Sequence, residues 1–417
     1  MDSGVDALLV RASRILPDAE GLAIDGGAVL IRGELIAAVG TRDQIGRLAP
    51  QGTRVIDADG LTLIPGLIDM HFHPTTRGGT RAASDHSDAN RVEDPVSQGE
   101  TNLLSALRCG VTTVRDGGSF DGPVLELRRR IEARELVAPR LIATGAPMTS
   151  PKGHNWWYGG EVAGVEAIRR FVRAKAEAGM SHVKVLATGG NSTPGSSPTI
   201  TQFSSDELSA LQDEADKVGL PTMAHLTNVE GIRRAVAAGI NALEHCAMMG
   251  LDGVWEHPDE LIADIVRGAF WVDPTPALHY RTVTDPLPGA DPKRVEELRQ
   301  RRAGRAKGHR KLVAAGHARW IIGTDGGSTN PPDLFPTACE AMVTELGLTP
   351  PAVLRAATLN AARVLGSQDS IGAIRKGMTA DLVAVDGDPL QDITSLARVR
   401  KVILRGRDVD EKLLRAG

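Results

Sequence analysis

The chain has 417 residues, 41% of them hydrophobic and 24% charged, enough for a barrel of about 250 residues plus a second module. The net charge of −4, with Lys and Arg spread along the chain, leaves no basic footprint for nucleic acid. No apolar run approaches the roughly 18 residues that a membrane span needs, so no membrane partner is expected.

The opening stretch "MDSGVDALLVRASRIL" has no basic n-region followed by an apolar core, so no signal peptide is read there. Cys109, Cys246 and Cys339 lie far apart without a CxxC spacing, the pattern of a reducing compartment. A cytoplasmic protein is expected. Residues 7–62 read as short strands and turns, and the same texture returns at the other end in "TADLVAVDGD" and "VRKVILRGRDV". The two ends look like halves of one small β-sandwich.

Between them, apolar strands alternate with helical runs. The strands are "GLIDMHFH", "TTVRDGG", "RLIATG", "HVKVLAT", "PTMAHLT", "NALEHCA", "AFWVDPTP" and "RWIIGTDGG". Runs such as "GVEAIRRFVRAKAEAGM" and "VEELRQRRAGRAKGHRKLVAAG" separate them, and Ser204 or Ser205 ahead of Asp206 and Glu207 reads as a helix N-cap. Eight strand–helix units predict a (β/α)8 barrel, in the α/β class, with its active site at the C-terminal ends of the strands. "GGNSTPGSSPTITQFS", residues 189–204, reads as a loop.

Polar residues punctuate those strand ends. His71 and His73 end the first strand, and strand alternation points both imidazoles to one side. Lys184 lies inside the fourth strand, His225 closes the fifth, His245 the sixth and Asp325 the eighth. Taken singly, each has an ordinary explanation. A histidine pair is capped by water, a strand lysine faces solvent, a His beside Glu in "LEHC" is a hydrogen-bonded structural residue, and "GTDGG" is a tight turn. Taken together on one rim, they read as a site, because His is the commonest metal ligand among side chains.

The order HxH, Lys, His, His, Asp resembles the amidohydrolase superfamily, as do "PGLIDMHFH", "GAIRKGMTADLVAVDGDP" and "ATLNAARVLG". Within it, "GVTTVRDGG", "VKVLATGG", "AHLTNVEGIRRAVAAGINALEHC" and "IIGTDGG" look most like the imidazolonepropionase-related branch, with its prolidase-like dipeptidases and ochratoxinase-like amidases. The resemblance implies a barrel over residues 65–374, flanked by a composite β-sandwich from 1–64 and 375–417, and a homo-oligomer. It implies two divalent ions, with His71, His73 and Asp325 on one and His225 and His245 on the other. Zn2+ suits imidazole and carboxylate best, with Mn2+ or Co2+ as substitutes. Lys184 as an ammonium has no acceptor lone pair, so it is expected as N6-carboxylysine, one oxygen to each ion. A metal-bridging hydroxide would then attack an amide, with Asp325 as general base and general acid.

The substrate is expected to be a small molecule: an N-acyl amino acid, an Xaa-Pro or similar dipeptide, or an aryl amide. Cyclic amides, carbamates and ureas form the alternative, with a noncatalytic scaffold of the same fold behind them. Branch members often carry a Tyr two residues after the fifth-strand His, where this chain has Thr227, which leaves peptide specificity open. Trp156, Trp157 and Tyr158 in "KGHNWWYGG" read either as a loop over the barrel mouth that contacts substrate or as a local packing cluster. His154, and His279 with Tyr280 past the seventh strand, are further substrate candidates. Arg77, Arg81 and His86 sit in a loop after the first strand, read as solvated. Asp116 either orients a ligand histidine or caps its turn.

Overall fold

The computed structural model describes residues 7–77, 92–328 and 330–415; Arg81 and His86 lie outside them. Four strands open the chain: β1 (Ala7–Ile15), β2 (Ile24–Arg32), β3 (Leu35–Thr41) and β4 (Arg54–Pro65). The barrel strands follow: β5 (Leu67–Phe72), β6 (Val111–Asp116), β7 (Arg140–Ile142), β8 (Val183–Leu186), β9 (Thr222–His225), β10 (Ala242–Glu244) and β11 (Trp271–Asp273). Three more, β12 (Leu382–Val385), β13 (Val399–Leu404) and β14 (Arg407–Asp408), come from the C-terminal end.

The two ends of the chain share one seven-stranded sheet, ordered β14-β13-β12-β4-β1-β2-β3. β4 is the seam, parallel to β1 on one side and antiparallel to β12 on the other. Alternation along β1 sends Leu8, Val10 and Ala12 into one apolar core with Val29, Ile56 and Leu382.

The barrel strands pair in parallel as β5-β6-β7 and β8-β9-β10-β11. Two irregular segments close the ring. Met148 bridges to Val185, its N–H donating to the Lys184 carbonyl at 2.8 Å. On the other side residues 320–326 run between β11 and β5, with Trp320 bridged to Val272 and Gly326 to Phe72. The expected eighth strand is thus present as an extended closing segment without regular ladder pairing. Its backbone turns early because Asp325 takes a left-handed conformation, φ 56°. Helices between the strands pack an apolar face inward; in Val165–Glu177 the buried positions Ile168, Val172 and Lys175 recur at helical spacing. Ser204, rather than Ser205, caps the helix Ser205–Val218, in a capping box with Glu207. No helix among the described residues is long and apolar enough to cross a membrane.

A polar side chain helps tie the closing segment to the outer layer. Asn360, 3% exposed in "ATLNAARVLG", donates through Nδ2 to the Trp320 carbonyl at 2.9 Å. Asn360→Leu strips that carbonyl of its donor in a dry interior. The expected cost is about 1–3 kcal/mol, read as a lower denaturant midpoint at unchanged slope.

Candidate metal centre

Barrel geometry explains the meeting of distant residues. Parallel strands deliver their C-terminal ends to one rim, and the side chains there point across a common mouth. His71, His73, Lys184, His225, His245 and Asp325 all line one cavity of about 430 Å3. His73 Nε2 lies 3.0 Å and His71 Nε2 3.8 Å from Asp325 Oδ1. The ligand atoms of these three lie within 4.8 Å of one another. The rings continue around the rim, with centroids 5.0 Å apart for His71–His245 and 4.5 Å for His225–His245.

Three of the four imidazoles are aimed by Nδ1. His71 Nδ1 meets Glu244 Oε2 at 2.7 Å, His73 Nδ1 the Gly118 carbonyl at 2.8 Å, and His245 Nδ1 the Thr275 hydroxyl at 2.7 Å. With Nδ1 donating in each, Nε2 of His71 and of His245 is left as a lone-pair donor toward the cavity, while Nε2 of His73 faces Asp325 Oδ1. Asp116 works through the turn: its carboxylate accepts from Gly118 N and Ser119 Oγ and, across the barrel, from Thr144 N and Gly145 N. It caps the turn whose carbonyl holds His73. No side chain fits next to it, because a Cβ on Gly117 would come within 2.5 Å of the His71 ring. Left-handed φ angles at His245, Cys246, Thr275 and Asp325 cluster at this rim, backbone strain of the sort that concentrates at functional sites.

Burial sets the protonation. It pulls His71 down to about 4 and His154 to about 3, and puts His225 and His245 well below the ordinary range, so these rings are neutral donors. His73 is the exception: burial opposes its charge, but the bond to Asp325 raises it. Burial likewise works against Asp325, yet His73, His71 and Lys184 hold it well below the usual carboxylate range. Lys184 is 2% exposed and its Nζ has no hydrogen-bond partner. Burial pulls its ammonium down to about 8. Neutral imidazoles, an ionised carboxylate and an unmatched buried amine form a donor set that fits divalent cations, provided the amine becomes anionic.

Beneath the rim lies a charged layer that the sequence reading passed over. Arg115, fully buried, donates to Glu244 Oε1 at 2.6 Å and to the Met70 carbonyl at 2.8 Å. Burial opposes ionisation of Glu244, but Arg115 and His71 keep its carboxyl well below the ordinary range. Asp273, 3.8 Å from His71 Nδ1, is pushed well above it by burial and by Glu244. The available signal was a charge inside each apolar strand: Arg115 in "TTVRDGG", Glu244 in "NALEHCA" and Asp273 in "AFWVDPTP".

The substrate candidates divide. His154, Thr227 and His279 line the cavity. Trp156, Trp157, Tyr158 and Tyr280 do not. Tyr158 is buried against Phe120, at 5.1 Å between ring centroids, while Trp156 is 42% exposed. The Tyr280 hydroxyl reaches Glu340, and the Tyr280 ring lies under Arg302. Arg77 is exposed. The loop 189–204 is part of the wall instead: Thr227 Oγ1 donates to the Pro198 carbonyl at 2.7 Å and so ties it down.

The Amidohydrolase family model matches residues 62–409, spanning the barrel and the returning strands. The chain belongs to the amidohydrolase family. Ochratoxinase from Aspergillus niger is 27% identical over 416 residues, covering 92% of this chain and 82% of that protein. Imidazolonepropionase from Symbiobacterium thermophilum is 28% identical over 452 residues and covers 99% of each. A solved prolidase complexed with N-methylphosphonate-L-proline superposes at a TM-score of 0.81 with 25% identity, over 97% of this chain and 99% of that one. These relatives make this amidohydrolase a hydrolase.

Glu244→Gln keeps the shape of the side chain but leaves Arg115 as an uncompensated buried charge. Loss of one partner from such a pair costs about 3–5 kcal/mol, and a loosened His71 weakens metal binding about 10- to 100-fold. Denaturant unfolding and equilibrium dialysis against Zn2+ check the two effects separately.

Proposed function

We propose that this amidohydrolase is a binuclear metal-dependent hydrolase that cleaves an amide C–N bond of a small, amino-acid-derived substrate. One observation carries the reading: four histidines, a lysine and an aspartate from five different strand ends line a single cavity. His71, His73 and Asp325 would hold one ion, and His225 and His245 the other. Zn2+ is the best match to these donors, with Mn2+ or Co2+ as substitutes. Lys184 would bridge them as N6-carboxylysine: its neutral amine adds to CO2, forms an N–C bond and loses one proton, giving a carbamate with two oxygens. When bound, the ions would acidify water and polarise the scissile carbonyl.

The chain's own residues do the rest. Asp325, kept ionised, accepts a proton from the attacking water at its carboxylate and returns it to the leaving nitrogen, serving as base and then acid. His154, buried and neutral, is placed to donate a hydrogen bond to the substrate, and its Nδ1 is occupied by Thr193 Oγ1 at 2.9 Å. The relatives named ochratoxinase and prolidase support an amide substrate, and imidazolonepropionase keeps ring amides as the second reading.

We also read residues 65–374 as the catalytic barrel, and the terminal sheet, from 1–64 and 375–417, as the family's small β-sandwich. An apolar core shared by strands from both ends of the chain supports that reading. The three free cysteines fit a cytoplasmic protein, and the family resemblance supports reading it as a homo-oligomer. Metal analysis of the purified protein, with a hydrolysis screen over N-acyl amino acids, Xaa-Pro dipeptides, aryl amides, carbamates and ureas, tests the assignment. About two ions per chain and turnover of an amide are expected, whereas a metal-free, inactive chain would remove it.

Two variants probe its parts. Lys184→Ala is expected to lose most bound metal and nearly all activity, with a short-chain acid at high concentration restoring part of both. Asp325→Asn keeps the size and one oxygen but cannot take the proton, so kcat should fall about 100- to 10,000-fold at unchanged circular dichroism. Near-wild-type kcat would take Asp325 out of proton transfer.

A further inference from the structure

One wall of the cavity is formed by the helix Pro292–Ala314, in the stretch "RQRRAGRAKGHR". Three of its arginines, Arg301, Arg302 and Arg305, line the cavity. Among the described lining residues Asp325 is the one carboxylate, and it is already engaged by His73. The wall therefore carries an excess of positive charge.

The three arginines are not equivalent. Arg302 is answered: its guanidinium pairs with Glu345 at 2.6 Å and donates to the Pro276 and Leu278 carbonyls. Arg301 and Arg305 have no carboxylate of the described residues within ion-pair distance. Four residues apart, they share one face of the helix. Arg305 Nη2 makes one long bond, 3.3 Å, to the carbonyl of Thr275, whose hydroxyl holds His245. This places the guanidinium beside the metal rim with most of its five donors uncommitted. Burial and the neighbouring Arg302 pull it down to about 10, the response of a cation that lacks a counter-ion.

The helix is built to come close. Glycine is unfavourable inside a helix, yet Gly304 sits between the two arginines. A Cβ there would lie 2.3 Å from the Trp255 indole nitrogen. Trp255 thus packs flush on the helix and, with Leu278 and Leu298, lines an apolar patch beside the cationic pair.

We propose that Arg305, assisted by Arg301, receives a carboxylate of the substrate. The scissile amide then belongs to an N-acyl amino acid or dipeptide with a free α-carboxylate and an apolar side chain, rather than to a neutral amide, carbamate or urea. The guanidinium fork matches a carboxylate in two parallel hydrogen bonds. This specificity assignment rests on the hydrolase reading of the same cavity, but its test does not require turnover.

Calorimetric titration of the purified protein with 3-phenylpropionate and with 3-phenylpropan-1-ol, neither of which is hydrolysable, reads the carboxylate alone. Wild type is expected to favour the acid by about 10- to 100-fold. Arg305→Met should bring that ratio close to one, Arg301→Met should lower it less, and Arg305→Lys should keep an intermediate preference. Metal content, measured on each variant, should stay at the wild-type value, since a carboxylate held only by the ions would lose nothing on these substitutions. No preference in wild type, or a preference that survives in Arg305→Met, would overturn the proposal. If Arg305→Met does not fold by circular dichroism, Arg305→Lys and Arg301→Met decide by the same ratio. A lost preference together with no turnover of any amide keeps the carboxylate site and removes the hydrolase reading. Amide turnover with an acid preference indifferent to both arginines does the reverse.

Discussion

The structure depends on the return of one segment to the first barrel strand. Met70 N donates to the Ile322 carbonyl, Asp325 N to that of His71, and His73 N to that of Gly326, at 2.7–2.9 Å. Side chains repeat the junction 255 residues apart in sequence: Thr324 donates to Asp69 through both its amide and its hydroxyl. These bonds close the barrel, and the same backbone alignment sets Asp325 against His73. Closure of the fold and assembly of the site are one event. Burial at the seam pushes Asp69 up to about 7 despite those bonds.

Closure creates an electrostatic problem whose solution shapes the centre. Charged groups drawn into a barrel lose their hydration, so each is neutralised or matched. His71, His225 and His245 are neutral, Arg115 and Glu244 pair, and Asp325 leans on His73. Lys184 stays unmatched at the middle, where a second charge of either sign changes everything around it. A cluster of lone pairs around one unsatisfied amine is poorly balanced by itself. Cations together with a carbamate would balance it, and so the orphan and the donor set point the same way.

Beyond the rim the polarity reverses. The wall carried by Pro292–Ala314 is cationic and partly unanswered, with an apolar patch beside it. On the proposed reading, a substrate in the cavity meets the histidine rim for carbonyl chemistry and the arginine pair for an anion.

Much of this was legible because it follows local rules. The alternation of "MHFH" puts two imidazoles on one side of a strand, and the βα texture announces a barrel whose rim collects strand ends. Lys184 stood out as a charge in an apolar strand, and the cap before Asp206 came within one residue. Other features had no local signature. The bond between Arg115 and Glu244 joins residues 129 apart, so neither neighbourhood announces the other. "VEELRQRRAGRAKGHR" reads only as a helical run between strands until the fold presses one face of it on the cavity. Trp156, Trp157, Tyr158 and Tyr280 look like a mouth in sequence, but packing turns Tyr158 onto Phe120 and Tyr280 toward Arg302. By itself the sequence determined which side chains share a strand face or a helix stripe, because backbone periodicity sets that within a few residues. Only the tertiary structure decided which charges are answered and which face the cavity, because burial and pairing arise between segments that meet once the barrel has closed.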